Sequence, residues 1–338
     1  MPEAVNHYQD RYWNDLSEVL AYLCRRATGN PDVWWMDYIK QNYAQVPRKR
    51  ALVIGCGNGW VERDLYDRGI AEHFDAFDVA EHYLDHAKSL RGERSIRYFA
   101  SDFASFVPTK RYDLIVNVAA LHHARRLYGF LKRLAPSLTD EGIFVNWDYV
   151  GPSRNQYSCP QVRQMREINR RLPPRFRTPH PLRPALKDML TGDPTEAVHA
   201  ADIIHAVGCY FDFIERRELG GGIAYQLLWN NLSEFEKRDQ DACDALSTLL
   251  REDEERTARG DVPTLFSFFI CKRRHSPDRV AAWHTAIREP LRESFAAATA
   301  GLYPREIPAY LRQRVASKVR RILGQNLLRR FTARINPR

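Results

Sequence analysis

The sequence predicts an α/β protein in which helices cover both faces of a parallel β-sheet. Between residues 51 and 147, five short apolar runs alternate with helix-like segments, and this alternation is typical of a parallel sheet. The runs are continuously apolar, as strands are when both faces of the sheet are buried. The intervening segments carry apolar residues three and four positions apart, for example Leu84 and Ala87, which is the spacing of one helix face.

The first 171 residues are predicted to form an N-terminal helical segment, five strands and a further helix. Residues 7–45 are rich in aromatic side chains and have helical character, so we expect residues 1–45 to form an N-terminal helical lid. The five strands are predicted at Ala51–Gly55, Phe74–Asp78, Ile96–Phe99, Tyr112–Val118 and Gly142–Trp147. A helix is expected near residues 160–171. Five prolines in Leu172–Pro184 then exclude a continuous helix or a central strand.

The C-terminal elements are less regular. Two further strands are predicted at Tyr210–Arg216 and Thr264–Lys272, and helices at residues 279–299 and 309–335. The chain is therefore divided into three parts: the lid (1–45), a main domain (46–275) that includes a basic, proline-rich insertion (154–187), and a helical extension (276–338) that ends in a basic amphipathic tail.

The net charge of +9 is concentrated in the tail. Residues 309–338 contain nine of the 51 Lys and Arg residues and no Asp or Glu, which leaves 42 basic against 42 acidic residues elsewhere. A cationic helix with an apolar stripe suits the surface of an anionic membrane, so we expect residues 309–335 to contact one. Docking onto protein, nucleic-acid binding and a disordered tail are the alternatives. The insertion 154–187, with nine basic residues against Glu167, is expected to attract an anionic acceptor or to form a solvated face.

Composition excludes several classes of protein. The chain is 44% hydrophobic and 28% charged, as globular proteins are, and no apolar stretch reaches the roughly 20 residues that span a bilayer. The N-terminal residues show no secretory signal, and the six cysteines are too scattered for a disulfide framework or a zinc ribbon. We expect a cytoplasmic protein with reduced thiols and no metal site. Its oligomeric state is not predicted.

The first predicted strand runs into three glycines at the start of a helix. Gly55, Gly57 and Gly59 let the backbone turn sharply and approach a ligand at the helix N-terminus. A phosphate-binding P-loop is excluded because the Gly-Lys-Ser/Thr sequence is missing. In a dinucleotide fingerprint the third glycine follows three residues after the second, whereas here it follows after two. The shorter GxGxG spacing is the one used for S-adenosylmethionine.

Two acidic residues follow the next two predicted strands. Asp78 lies 23 residues after Gly55, close to the roughly 20 expected for an acid that binds ribose hydroxyls. Asp102 follows the third strand, where its carboxylate would accept the amino group of adenine while Phe103 lies beside the ring.

With these motifs in this order, residues 50–150 resemble the class I S-adenosylmethionine-dependent methyltransferases. The resemblance implies a Rossmann-like sheet of order 3-2-1-4-5-7-6. It also implies that the glycines hold the methionine end of the cofactor, that Asp78 holds the ribose and that Asp102 holds the adenine. Further cofactor contacts are expected at Cys56, Asn58, Trp60, Val79, Phe103 and Asn117.

A narrower resemblance spans residues 8–273. Strings such as Gly55–Leu65, Asp148–Arg154 and Asp193–Val198 are similar to a bacterial group of methyltransferases that accompany glycosyltransferases in surface-polysaccharide assembly. This resemblance implies a saccharide or lipid-linked glycan as the methyl acceptor. Members of the group usually carry Glu where this chain has Asp148.

The candidate catalytic residues are His122, His123 and Asp148. The histidines follow the fourth strand and Asp148 ends the fifth, at the sheet edge where open α/β folds bind ligands. A histidine suits the removal of a hydroxyl proton near neutral pH. Structural roles compete: a histidine caps the next helix or packs on the sheet, and Asp148 bonds to loop backbone. Candidate acceptor contacts are Tyr12, Trp13, Tyr149 and Arg154, with core packing as the alternative for the first two.

Other functions remain open at this stage. An RNA or nucleotide methyltransferase is less favoured, because Asn117 is followed by Val-Ala-Ala instead of the Pro-Pro-aromatic turn of enzymes that methylate base amines. Natural-product O-methylation is a further alternative. A non-catalytic scaffold is disfavoured because it would not need all three glycines and both acids.

Overall fold

The computed structural model describes residues 12–229 and 231–276, together with residues 278, 281 and 284–289. The chain divides into two compact units, residues 1–276 and 277–338. In the second unit the described residues include a π-helical turn at His284–Arg288. The basic tail at 309–335 and most of the helix predicted at 279–299 lie outside the described residues.

Seven strands of the first unit form one sheet in the order β3-β2-β1-β4-β5-β7-β6. They are β1 (Arg48–Ile54), β2 (Ala71–Asp78), β3 (Ile96–Ala100), β4 (Tyr112–Val118), β5 (Leu138–Tyr149), β6 (Phe211–Gly220) and β7 (Phe266–Arg273). The first five are parallel, and β7 runs antiparallel to both of its neighbours. The predicted α/β fold and its strand order are confirmed.

Eleven α-helices surround the sheet in the described part of the first unit. They are α1 (Ser17–Thr28), α2 (Trp35–Tyr43), α3 (Trp60–Asp67), α4 (Glu81–Ser89), α5 (Leu127–Leu134), α6 (Cys159–Arg171), α7 (Leu186–Thr191), α8 (Ile203–Tyr210), α9 (Ala224–Trp229), α10 (Leu232–Phe235) and α11 (Gln240–Ala258). Among the described residues, no helix combines the length and the apolarity needed to cross a membrane.

Two predicted strand boundaries are corrected. Tyr210 ends helix α8, and the chain becomes extended only at Phe211, where β6 begins. Thr264 lies outside β7, which begins at Phe266, and its hydroxyl accepts the backbone N–H of Gly220 at the end of β6 at 2.9 Å. Both corrections concern the ends of elements, where local capping decides the boundary.

The N-terminal aromatic residues pack on the body of the domain. Trp34 lies with its ring centroid 5.3 Å from that of Trp147 on β5, and the fully buried Trp35 contacts Phe268 on β7. Trp13 is 4% exposed and stacks on Phe266 at 5.5 Å. The side chain of Trp13 therefore packs in the core, which is the alternative given for it above, and its contact with the acceptor stays a prediction.

The carboxyl ends of β1 to β6 lie at one edge of the sheet. Strand β6 shares the direction of β5, because both are antiparallel to β7 between them. The loop after β6 is held there by the buried Asp253 of α11. Its carboxylate accepts the backbone N–H groups of Gly221 at 2.7 Å, Ile223 at 2.6 Å and Ala224 at 3.0 Å. This loop leads into α9, which brings Tyr225 to the same edge.

Candidate active site

The glycine turn after β1 adopts a backbone that side chains would block. Gly55, Gly57 and Gly59 have φ angles of +60°, +52° and +79°. A Cβ on Gly55 would lie 2.4 Å from the Cβ of Ala120, and one on Gly59 would lie 2.6 Å from the Tyr98 hydroxyl. Both distances are too short for any side chain, so the sequence requires glycine there.

Asp78 lies between the glycine turn and helix α4. One carboxylate oxygen accepts the N–H of Gly57 at 2.8 Å, and the other accepts the N–H of Ala80 at 2.9 Å. The next residue, Val79, is 72% exposed and offers apolar surface at the same edge. The structure therefore places both predicted cofactor contacts beside the turn.

Asp102 is the second residue of the loop after β3. Its carboxylate accepts both the N–H and the hydroxyl of Ser105 at 2.6 Å, and these hydrogen bonds hold the pKa of Asp102 below its usual value. The neighbouring Phe103 is half-buried, with its ring edge-on to Phe130 at 5.0 Å. A Cβ on Gly55 would lie 3.6 Å from the Phe103 ring, so this loop adjoins the glycine turn.

Three of the other predicted cofactor contacts have different surroundings. The side chain of Asn58 accepts the N–H of Trp60, the first residue of α3, at 3.3 Å, and Trp60 stays half-exposed. Cys56 is buried, and burial raises the pKa of its thiol well above the usual value. Its side chain therefore points into the protein, and only its backbone belongs to the turn.

Asn117 lies behind the edge of the sheet, next to Asp148. Its side chain is fully buried, and the amide donates to Asn146 at 2.7 Å and to Asp148 at 2.8 Å. Asn117 therefore helps to position the Asp148 carboxylate, and its contact with the cofactor stays a prediction.

Asp148 and His122 form a buried pair. The fully buried Asp148 carboxylate lies 2.6 Å from Nδ1 of His122 and also accepts the His122 N–H at 3.2 Å. Further donors are the Asn117 amide and the Tyr149 N–H. Held through Nδ1, the His122 ring presents Nε2 to Glu196, whose carboxylate lies at 3.5 Å. The structure thus brings two of the three candidate catalytic residues together.

His123 is oriented by the loop that carries Glu196. The Thr195 hydroxyl donates to Asp193 at 2.7 Å, so its oxygen accepts from Nδ1 of His123 at 3.1 Å. This hydrogen-bond network assigns the proton of neutral His123 to Nδ1 and a lone pair to Nε2. That Nε2 lies 3.7 Å from the same Glu196 carboxylate. We call His122, His123, Asp148 and Glu196 the imidazole cluster.

The loop with Glu196 is attached to the cluster at several points. The N–H of Val198 donates to the His122 carbonyl at 3.1 Å, and the N–H of Arg154 donates to the Ala197 carbonyl at 2.8 Å. Arg154 also donates through Nη1 to the Glu196 carbonyl at 3.2 Å. The predicted contact residue Arg154 thus supports the loop.

Backbone strain concentrates in the same segments. Among the described residues, five other than glycine have positive φ, and four of them adjoin the cluster: Ala119, Arg154, Asn155 and Ala197. Strained backbone of this kind persists where the surrounding contacts over-determine it, and such places are often functional sites.

The two imidazoles have opposite pKa shifts. Burial acts to lower the pKa of His122, but the Asp148 and Glu196 carboxylates outweigh it and raise the pKa to about 10. Burial, followed by the charge of His122, lowers the pKa of His123 to about 4. The two carboxylates thus favour a proton on His122, and the charge of that proton disfavours one on His123.

Tyrosines form a wall beside the cluster. Tyr149 is 5% exposed, lies edge-on to His122 and donates to the Pro152 carbonyl at 3.1 Å. The fully buried Tyr157 and the half-buried Tyr225 complete this wall. Tyr12 lies near Trp229, with ring centroids 6.2 Å apart.

Two arginines of the basic insertion form ion pairs within the fold. Arg175 binds Glu234 at 2.7 Å and Asp239 at 2.6 Å, while Arg171 binds Glu252 at 3.0 Å. These ion pairs favour a structural role for that part of the insertion.

A family profile described as a methyltransferase domain matches residues 52–146. The match runs from β1 to β5 and includes the glycine turn and both acids. Residues 52–146 are a class I S-adenosylmethionine-dependent methyltransferase domain.

Several known proteins resemble this methyltransferase domain. A malonyl-[acyl-carrier protein] O-methyltransferase of Acetivibrio thermocellus is 25% identical over 125 residues, covering 36% of this chain and 44% of that protein. The human arginine-hydroxylase NDUFAF5 is 26% identical over 145 residues, covering 39% and 41%. The chain thus spans less than half the length of these relatives. A crystal structure of an S-adenosylmethionine dependent methyltransferase from Mesorhizobium loti is 16% identical, with a TM-score of 0.43 and coverage of 70% and 96%.

The residues of the methyltransferase domain fit its cofactor, S-adenosylmethionine. The glycine turn leaves open the space that a Cβ would fill, and Asp78 offers a carboxylate for ribose hydroxyls. Val79 and Phe103 supply apolar surface for a flat ring. A cavity of about 390 Å³ near Arg50, Asp75 and Lys110 lies instead at the amino end of the strands, away from these groups.

Sequence reasoning missed Glu196, Tyr157 and Tyr225. Asp193–Val198 stood out as a string shared with a bacterial group, but no role was attached to its glutamate. Tyr157 and Tyr225 lie far apart in the chain and meet only because the loop after β6 returns to the edge of the methyltransferase domain.

Proposed function

We propose that the protein methylates a hydroxyl oxygen of an acceptor held at the imidazole cluster. One observation carries this proposal: the Nε2 atoms of His122 and His123 converge on Glu196 beside the cofactor residues. Ala120, whose Cβ adjoins Gly55, links the glycine turn to the two histidines that follow it. Cofactor and acceptor would thus meet across a short stretch of chain.

The chemistry asks mainly for positioning. The cofactor supplies a methyl group on a sulfonium, and its transfer is an in-line displacement that depends on alignment. The hydroxyl of the acceptor must also lose its proton, and we propose that His123, whose Nε2 carries a lone pair, accepts it while His122 positions the acceptor oxygen. Asp148 would hold His122 in one orientation, as the acid of a catalytic triad holds its histidine.

The lining of the site favours a polar acceptor. Tyrosine hydroxyls, imidazoles and a carboxylate offer many hydrogen-bond partners, which suits a saccharide, and the bacterial group that the chain resembles points the same way. A carboxylate acceptor is the second candidate, because one relative is named as a malonyl-[acyl-carrier protein] O-methyltransferase.

A transfer assay tests this proposal. The full chain would be incubated with methyl-labelled S-adenosylmethionine and a panel of glycans, nucleotide sugars, malonyl thioesters, phenols and RNA. We expect a labelled product whose mass rises by one methylene group, and loss of that product in Asp148→Ala. Label in RNA alone would contradict O-methylation of a small acceptor, and a product that gains an oxygen atom would indicate hydroxylation.

We also propose that the basic tail holds the enzyme near an anionic membrane, where an acceptor on a lipid carrier would lie. Co-sedimentation of the full chain and of residues 1–308 with anionic vesicles tests this role. Binding of the full chain alone, released by salt, would support an electrostatic anchor. Equal behaviour of the two chains would exclude it.

A further inference from the structure

We propose that His122, His123 and Glu196 bind a divalent transition-metal ion. One ligand atom from each residue can be chosen so that all three lie within 4.8 Å of one another. Two imidazole nitrogens and one carboxylate form a ligand set that suits zinc, manganese, iron or cobalt.

Two of the three distances between the ligand atoms are close to those of a metal site. The Glu196 carboxylate lies 3.5 Å from Nε2 of His122 and 3.7 Å from Nε2 of His123. Ligands about 2.1 Å from a tetrahedral ion stand about 3.4 Å apart. A shift of a few tenths of an ångström would therefore bring these pairs to bonding geometry.

Both histidines have the outer partners that metal-binding histidines need. A ligating imidazole usually donates its other N–H to a carboxylate or another oxygen, which fixes the ring. Nδ1 of His122 has Asp148 at 2.6 Å, and Nδ1 of His123 has the Thr195 hydroxyl at 3.1 Å. Both rings are therefore held through Nδ1, and both Nε2 atoms face the Glu196 carboxylate, as ligands of one ion would.

The surrounding charge and backbone also favour a cation. The carboxylates of Asp148, Asp193 and Glu196 lie near the two imidazoles. The neighbouring Arg154 donates to the backbone carbonyl of Glu196, so this contact anchors the loop. Its attachment at Val198 further fixes the position of the third ligand.

The role of the ion rests on the proposed function, whereas its binding does not. An ion at this place would coordinate the acceptor oxygen and make His122 and His123 its ligands. The activation of the acceptor would then come from the metal instead of from proton transfer to an imidazole.

Metal titration tests the proposal without an activity assay. The full chain, without a histidine tag, would be stripped with a chelator and titrated with Co²⁺ while its visible d–d absorption is recorded, with Zn²⁺ as competitor. We expect one ion per chain. Affinity should fall at least tenfold in Glu196→Gln and in His123→Ala, and roughly 10–100-fold in Asp148→Asn, which removes only an outer partner.

Matched controls separate this site from adventitious binding. His86→Ala and Glu93→Gln change exposed residues of the same types elsewhere and should leave the titration unchanged. Calorimetry with S-adenosylmethionine shows whether each variant is folded and whether the cofactor assignment holds. No ion on the full chain, or equal binding by Glu196→Gln and Glu93→Gln, would overturn the metal site while leaving methyl transfer to be judged by its own assay.

Discussion

The glycine turn with its two acids and the imidazole cluster lie at the same sheet edge, but the chain builds them differently. In the first, Asp78 and Asp102 accept backbone groups within about twenty residues of themselves. In the second, His123 pairs with Thr195, 72 positions away, and Arg154 supports Glu196, 42 positions away. One region depends on local backbone shape, and the other depends on side chains brought together by folding.

This difference indicates which substitutions should disturb each region. The glycine turn should respond to substitutions that add a side chain, because its backbone has positive φ and close neighbours. The geometry of the imidazole cluster should not change when cofactor residues are replaced. It should change when one of its own polar side chains is removed. A substitution in the glycine turn that alters only the imidazole cluster, or the reverse, would contradict this distinction.

The largest effect is expected at the histidines. Replacing His122 or His123 with Ala should lower turnover by ~10² or more, while S-adenosylmethionine affinity stays nearly intact. Steady-state kinetics and calorimetry on each variant provide the measurement. If both variants keep full turnover, the imidazole cluster does not activate the acceptor.

The second effect concerns the glycine turn. Gly55→Ala should cost about 3 kcal/mol of folding or cofactor binding, because strain at positive φ adds to a clash with Ala120. Gly260→Ala is the matched control: its φ is +76°, but no atom lies within 4 Å of the added Cβ, so it should cost only about 1 kcal/mol. Thermal unfolding and calorimetry measure both. Equal losses would mean that close approach does not shape the turn.

A third effect is expected at Asp78. Asp78→Ala should weaken S-adenosylmethionine binding by roughly 1.5–3 kcal/mol, the scale of hydrogen bonds to a charged group. Calorimetry measures the change, and NAD should give no binding heat with either protein. An unchanged affinity would remove Asp78 from the cofactor site, and NAD binding without S-adenosylmethionine binding would contradict the cofactor.

The smallest effect concerns Glu62, which is fully buried in α3 beside the glycine turn. Burial raises its pKa from 4.5 to about 7. Between these values the folded state binds more protons than the unfolded state, so stability falls as pH rises. Between pH 5 and pH 7 this proton release should lower the free energy of unfolding of the wild type by about 2 kcal/mol. The Glu62→Gln variant should lack this decrease. Denaturant unfolding at both pH values measures it; parallel pH profiles would show that Glu62 keeps its ordinary pKa.

The pattern along the chain predicted more of the fold than of the site. Continuous apolar runs located the strands, but β5 begins at Leu138, four residues before the predicted Gly142. The polar residues between them have the composition of a turn, yet they lie in the strand. Tyr210 belongs to α8, because a short apolar segment suits a helix as well as a strand.

The glycine turn, Asp78 and Asp102 were located from sequence alone because their spacing follows from local geometry: a sharp turn needs glycine, Asp78 ends β2 and Asp102 lies two residues after β3. The contact of Glu196 with two histidines, the tyrosine wall and the burial of Trp13 and Asn117 became evident only in the folded chain. These features depend on which distant segments the sheet brings to one edge. Sequence periodicity does not predict which distant segments meet, because their contacts result from the packing of the whole domain.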